Sequence, residues 1–233
     1  MPLPPPVSRQ LRHRRAIRAE AYERADGLWD VEACLTDEKP RDVVLATGVR
    51  PEGQPIHELW LRITIDRQLN VVDAHASSDW VPYPGLCQAS NPAYRALIGL
   101  NLLQNFRRDS ARLLGGTAGC THLTELCAVL PTAAIQAFAG DVWNTGDGSP
   151  GESQGSGDGH SNDKPPFQLG RCHALRFDGE AVQQFYPRWY NHAPYRSDRV
   201  RAEGARSSGA ASGMNDGSGN EVQSNSQTEG NHA

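Results

Sequence analysis

The sequence predicts an α+β fold, a mainly antiparallel sheet of hairpins with two or three helices packed on one face. Three observations carry this. An Asp26-Gly27 pair sits between two alternating runs, residues 17–23 and 28–35, and Asp-Gly between such runs is a strong hairpin signal. Residues 56–65 alternate as a strand does, with Trp60, Arg62 and Thr64 facing one way and His57, Leu59, Leu61, Ile63 and Ile65 the other. Tyr94, Leu97, Ile98, Leu102 and Phe106 then recur at helical spacing. Hairpins followed by helices make an α+β layout.

In chain order, the first hairpin ends at Lys39-Pro40, and residues 43–49 form a third short strand. The strand 56–65 turns at 66–70 and returns as 71–76. Residues 81–87 contain Pro82, Pro84 and Gly85, so they form an irregular turn that carries Cys87. Asn91 is a good N-cap and Pro92 suits the first helical position, so a helix starts there and buries the Tyr94 to Phe106 stripe. Another helix begins just behind Thr121 and buries Leu123, Leu126, Cys127, Leu130, Ala134, Ile135 and Phe138. Pro131 kinks it or divides it in two. Near the end, residues 170–177 and 181–186 flank Asp178-Gly179 as a third hairpin, and Tyr186, Trp189 and Tyr190 close the ordered part.

Composition divides the 233 residues into a flexible basic arm (1–15), a single domain (16–190) and a disordered tail (191–233). The tail and an insertion at 144–166 are rich in Gly, Ser, Asn and Asp, and bury too little to offset the entropy of ordering. Arg9, Arg12, Arg14, Arg15 and Arg18 read as a solvated basic cluster. With a net charge of −4 and no recognition motif, the chain gives no case for a nucleic-acid partner. No apolar run approaches the ~20 residues of a membrane helix, and the start lacks a signal-peptide core, so the expected location is the cytoplasm. Five cysteines without framework spacing point to free thiols or metal ligands rather than disulfides.

The reactive residues converge on 115–125. Gly115, Gly116 and Gly119 allow a tight bend or the close approach of a ligand, and Cys120 and His122 follow at a helix start. Cys120, His122 and Cys87, with His57 or His173 from the sheet, make a candidate four-ligand site for zinc or iron, an iron-sulfur cluster included. The rival assignment is thiol catalysis on a small acyl or carboxylate substrate. There Cys120 is the nucleophile, His57 or His122 the base, and Glu125 or Asp73 the orienting carboxylate. The glycine-rich turn would then supply oxyanion donors. A third possibility is an accessory module in which Trp80 and Tyr83, with Trp60, Trp189 and Tyr190, line a groove for a small molecule or a partner protein. Cys34 and Cys127 read as core thiols, and His13 and His75 as exposed. Oligomeric state is left open.

Several phrases resemble a bacterial family of unknown function, DUF2889. They are Asp26-Gly27-Leu28-Trp29-Asp30, Leu35-Thr36-Asp37, residues 56–62, residues 116–126 and Pro131-Thr132-Ala133. Cys172-His173-Ala174-Leu175 and Tyr186-Pro187-Arg188-Trp189 complete the set. This resemblance implies a family but no activity. The order of a two-strand turn, Cys87, a helix, and a cysteine opening an alanine-rich helix is also similar to the U-type iron-sulfur cluster scaffolds. That likeness implies Cys87 and Cys120 as cluster ligands. No cysteine stands between them, and Gly119 occupies the place of the family's histidine, with His122 on the other side.

Overall fold

The structure, a computed structural model, describes residues 3–143, 145–146 and 165–192. The expectations of disorder for 144–166 and 191–233 fall almost wholly outside these residues. The chain divides into two compact units, residues 1–167 and 168–233.

The first unit is built on a four-stranded antiparallel sheet in the order β1-β2-β5-β6. Its strands β1 (Arg14–Glu23) and β2 (Trp29–Glu38) are joined by the Asp26-Gly27 turn, where Gly27 takes the positive φ of 81° that the tight reversal requires. The expected third strand is a small ribbon of two, β3 (Val43–Leu45) and β4 (Gly48–Arg50). The sheet resumes with β5 (His57–Ile65) and β6 (Val71–Trp80). On one face, Trp29, Val31, Ala33 and Leu35 of β2 lie beside Leu59, Leu61, Ile63 and Ile65 of β5, all buried. Burial of one such side chain contributes about 1.5–3 kcal/mol.

Helices cover that face. A 3-10 segment, Cys87–Leu97, is followed by α1 (Phe106–Leu114), α2 (Thr121–Leu126) and α3 (Leu130–Phe138). The α+β class and the antiparallel sheet are therefore as the sequence predicts, and Pro131 does divide the last helix. The continuous helix expected from Asn91 to Phe106 is broken. Gly99 has φ 88°, and the chain there pairs with the sheet end instead: Gly99 N donates to Val71 O at 2.8 Å, Val71 N to Leu100 O at 2.8 Å, and Leu102 N to Leu69 O at 3.0 Å. Tyr94, Leu97, Leu102 and Phe106 still reach the core, but Ile98 remains exposed.

In the second unit, α4 (Glu180–Phe185) stands where a hairpin was expected. Gly179 has an extended backbone (φ −91°, ψ 155°) rather than the positive φ of a tight hairpin turn, and it opens the helix. The glycine is needed for space, since a Cβ there would lie 2.9 Å from Arg176 Cγ. Leu169, Val182 and Trp189 form this unit's small core. Cys172 and His173 lie in a bend, not on a strand.

Among the described residues no helix is long and apolar enough to cross a membrane. All five cysteines are free, as expected. Burial pushes the Cys34 thiol up to about 11 and the Cys127 thiol up to about 12. Alkylation of the folded protein near pH 7.5 (~) should therefore spare both while modifying exposed Cys172, with peptide mass spectrometry as the readout.

Candidate metal centre

Strand register alone builds most of the site. Counting back from the Asp26-Gly27 turn places Arg15 opposite Asp37, and the β2–β5 pairing places Asp37 opposite His57. Directly opposed residues share a sheet face, so three neighbouring strands carry Arg15, Asp37 and His57 in one row. The row continues the inward-facing series that ends at Leu35, so Asp37 follows it into the interior and its side chain is only 3% exposed. His122, in the first turn of α2, comes down onto this row. Its ring lies on that of His57, with centroids 3.9 Å apart and an interplanar angle of 33°.

Everything around Asp37 points to its carboxylate. Arg15 makes a two-pronged contact, Nε to Oδ1 and a terminal nitrogen to Oδ2, both 2.8 Å. His57 Nδ1 is 3.1 Å from Oδ2, His122 Nε2 is 3.7 Å from Oδ2, and His13 Nε2 is 3.0 Å from Oδ1. Burial acts to raise the Asp37 pKa. The Arg15 hydrogen bonds and charge, with the charges of His57 and His13, outweigh it, so the carboxyl sits below its ordinary value and stays ionised. His57 is shifted down, first by burial and then by the neighbouring His122, against the pull of Asp37. The ionised Asp37 carboxylate and the two imidazole rings thus crowd one small region at the end of the sheet row.

Asp37, His57 and His122 are the one group of three or more His, Cys, Asp or Glu residues among the described residues whose ligand atoms all lie within 4.8 Å of one another. Donors about 2.0–2.1 Å from a tetrahedral zinc sit roughly 3.3 Å apart. The separations of 3.1 and 3.7 Å bracket that spacing.

The glycine-rich turn sets Cys120 beside this group. Cys120 Sγ is 3.8 Å from His122 Nδ1. Burial alone would raise the thiol's pKa, but the contact with His122 and the nearby amides of Leu123 and His122 bring it below its ordinary value. Those amides face the sulfur without forming a capping hydrogen bond. Tyr94 braces the turn from the core: its hydroxyl accepts from Cys120 N at 3.1 Å and lies 2.8 Å from both Cys120 O and Thr124 Oγ1. Gly116 needs its positive φ of 61°, and a Cβ on Gly119 would come within 2.6 Å of Leu114 O, so these glycines serve close packing of the turn.

Of the residues singled out in the sequence, the structure brings together His57, His122, Cys120 and Glu125. Glu125 Oε2 accepts from Arg15 at 2.6 Å. Cys87 heads the 3-10 segment, partly buried against the core, and is outside the three-residue group. His173 is in the second unit, where Arg176 approaches its Nε2 at 3.3 Å. Asp73 pairs with His75 and Arg95 rather than with any of the group. Trp80 is stacked under Arg50, 4.7 Å from guanidinium carbon to ring centroid, and Tyr83 is exposed. Three residues of the site were not assigned to it from the sequence: Asp37, Arg15, which read as solvated, and His13, which read as exposed. The first two were available from hairpin register.

Replacing Tyr94 with Phe removes a fully buried hydroxyl that joins the Cys120 backbone to Thr124. The loss should destabilise the fold by about 1–3 kcal/mol in chemical denaturation, with the secondary structure retained.

Comparison with known proteins adds a family. No curated protein and no solved structure matches the chain. The sequence profile described as a protein of unknown function (DUF2889) matches residues 13–136, more than half of the chain, and that span runs from His13 through the whole Asp37–His57–His122 group. The chain belongs to the DUF2889 family.

Proposed function

We propose that this protein binds a single divalent transition-metal ion, zinc or ferrous iron, through Asp37, His57 and His122. The observation that carries the proposal is the convergence of two imidazoles and one buried carboxylate within 4.8 Å. Two histidines and a carboxylate suit zinc in open sites and non-haem iron(II), whereas iron-sulfur clusters are held chiefly by cysteine thiolates. Of the five cysteines, Cys120 alone has a hydrogen-bonding contact to the group among the described residues, through His122 Nδ1. The set therefore favours a mononuclear ion over a cluster.

Local charge supports a cation. Arg15 is balanced by two carboxylates, Asp37 and Glu125, so these three groups together carry one net negative charge. Arg15 also fixes the plane of the Asp37 carboxylate, so little ordering entropy remains to be lost on binding. Three protein donors leave at least one position for water or a small-molecule substrate, the pattern of catalytic rather than structural zinc. A bound ion would supply Lewis acidity there. His122 is 26% exposed and His57 17%, so the group is reachable from solvent. Five free thiols are in keeping with a reducing compartment such as the cytoplasm.

A second assignment is favoured by one observation, the chain from Cys120 Sγ through His122 to Asp37, with steps of 3.8 and 3.7 Å. It is the order of nucleophile, base and orienting carboxylate in thiol enzymes acting on acyl groups.

Anaerobic, tag-free protein should take up close to one zinc or iron(II) per chain, measured by elemental analysis after dialysis. His57→Ala, His122→Ala and Asp37→Asn should each lower the affinity at least tenfold (~), since each removes a donor. A metal-free protein in which Cys120 alone is rapidly acylated by an activated ester would instead favour the thiol enzyme.

A further inference from the structure

We infer that Cys120 is a positioning residue for the metal centre rather than one of its ligands, and that it acts through the Nδ1–H of His122. The inference rests on the metal-binding proposal above and assigns this thiol a role within that site.

The two nitrogens of an imidazole lie on opposite edges of the ring, and one ion can be reached from only one of them. In His122 the Nε2 edge faces Asp37 Oδ2 at 3.7 Å, on the side where His57 Nδ1 also meets that oxygen. The Nδ1 edge faces Cys120 Sγ at 3.8 Å, within hydrogen-bonding range for sulfur. An ion held by Asp37 and His57 therefore meets Nε2, which leaves the ring proton on Nδ1, where it donates to Cys120 Sγ. The sulfur lies across the imidazole from the ion and is outside the three-donor group.

The placement is enforced from below. The Tyr94 hydroxyl holds Cys120 through both backbone groups, and Gly119 brings the preceding peptide against the Leu114 carbonyl and Tyr94. The thiol is thus a fixed acceptor that selects the tautomer and ring angle of His122. Outer hydrogen-bond partners of this kind are worth about 10- to 100-fold in metal affinity when removed. The Cys-x-His spacing supports the assignment: as the residue just before α2, Cys120 can touch a ring in the helix's first turn without sharing its ion.

The test uses the full chain with zinc and cobalt(II) as probes. Cys120→Ala should weaken zinc binding about 10- to 100-fold in a chelator competition, and Cys120→Ser, which keeps an acceptor, should recover most of the loss. The cobalt(II) spectrum of the unaltered protein should lack a thiolate-to-metal charge-transfer band. Nitrogen-15 histidine spectra of the zinc-loaded protein should show His122 protonated at Nδ1 and metallated at Nε2, a readout that holds even if the alanine variant fails to fold.

A charge-transfer band lost in Cys120→Ser, or a metallated Nδ1, would overturn the inference by making the thiol a ligand. Wild-type affinity in Cys120→Ala together with lost affinity in His122→Ala would overturn it while leaving the metal centre standing. Absence of zinc and cobalt(II) binding by the unaltered protein would remove the metal centre and this inference with it.

Discussion

The carboxylate of Asp37 is nearly buried at the inward end of β2, and an ionised group at that depth is costly unless it is paired. Arg15, one strand away in the same register row, resolves this with two hydrogen bonds of 2.8 Å. The remaining features of the site depend on that pair. Its charge keeps Asp37 an acceptor, and its second arm reaches Glu125 on α2, so a single guanidinium ties the edge strand, the neighbouring strand and the helix that carries His122. The β1 edge is otherwise almost entirely exposed. Its Arg15 is a structural member of the site and not part of a solvated arm.

The helix side contributes a turn instead of a strand row. Its rigidity comes from backbone crowding at Gly119, left-handed geometry at Gly116, and the Tyr94 hydroxyl. That hydroxyl is fully buried, and burial pushes its pKa up to about 12 despite the hydrogen bonds, so Tyr94 stays neutral and remains both a donor and an acceptor. The two histidines are consequently brought together by independent means. His57 is set by strand register and His122 by a braced turn. Their rings stack at 3.9 Å, and burial together with the neighbouring His122 lowers the His57 pKa.

Much of this was legible in the sequence, for a physical reason in each case. The Asp26-Gly27 hairpin, the β5 alternation and a helix starting close behind Thr121 follow local rules of turn chemistry and periodicity, and the structure keeps them, with the helix start at Thr121 itself. His57, His122 and Cys120 stood out because their side chains carry chemistry. Asp37 did not, since a single Asp in a strand is indistinguishable from a solvated one until register and face are counted together. The misread elements are those where tertiary pairing overrode local pattern. Gly99, Leu100 and Leu102 bond to Leu69 and Val71, at the turn before β6 and its first residue, rather than continuing a helix, and Asp178-Gly179 opens a helix because Gly179 is extended. A cysteine-based ligand set was natural to infer from Cys87 and Cys120, whereas Cys87 lies outside the group of potential ligands.

On the proposed assignment two imidazoles and one carboxylate, without a thiolate, meet at a single metal ion. X-ray absorption on the zinc-loaded, full-length protein tests this most directly. The expected spectrum has a nearest shell of nitrogen and oxygen alone, at about 2.0–2.1 Å, with the outer scattering of two imidazole rings, half of which disappears in His57→Ala. A sulfur shell at about 2.3 Å, or a spectrum indistinguishable from zinc in buffer, would contradict it.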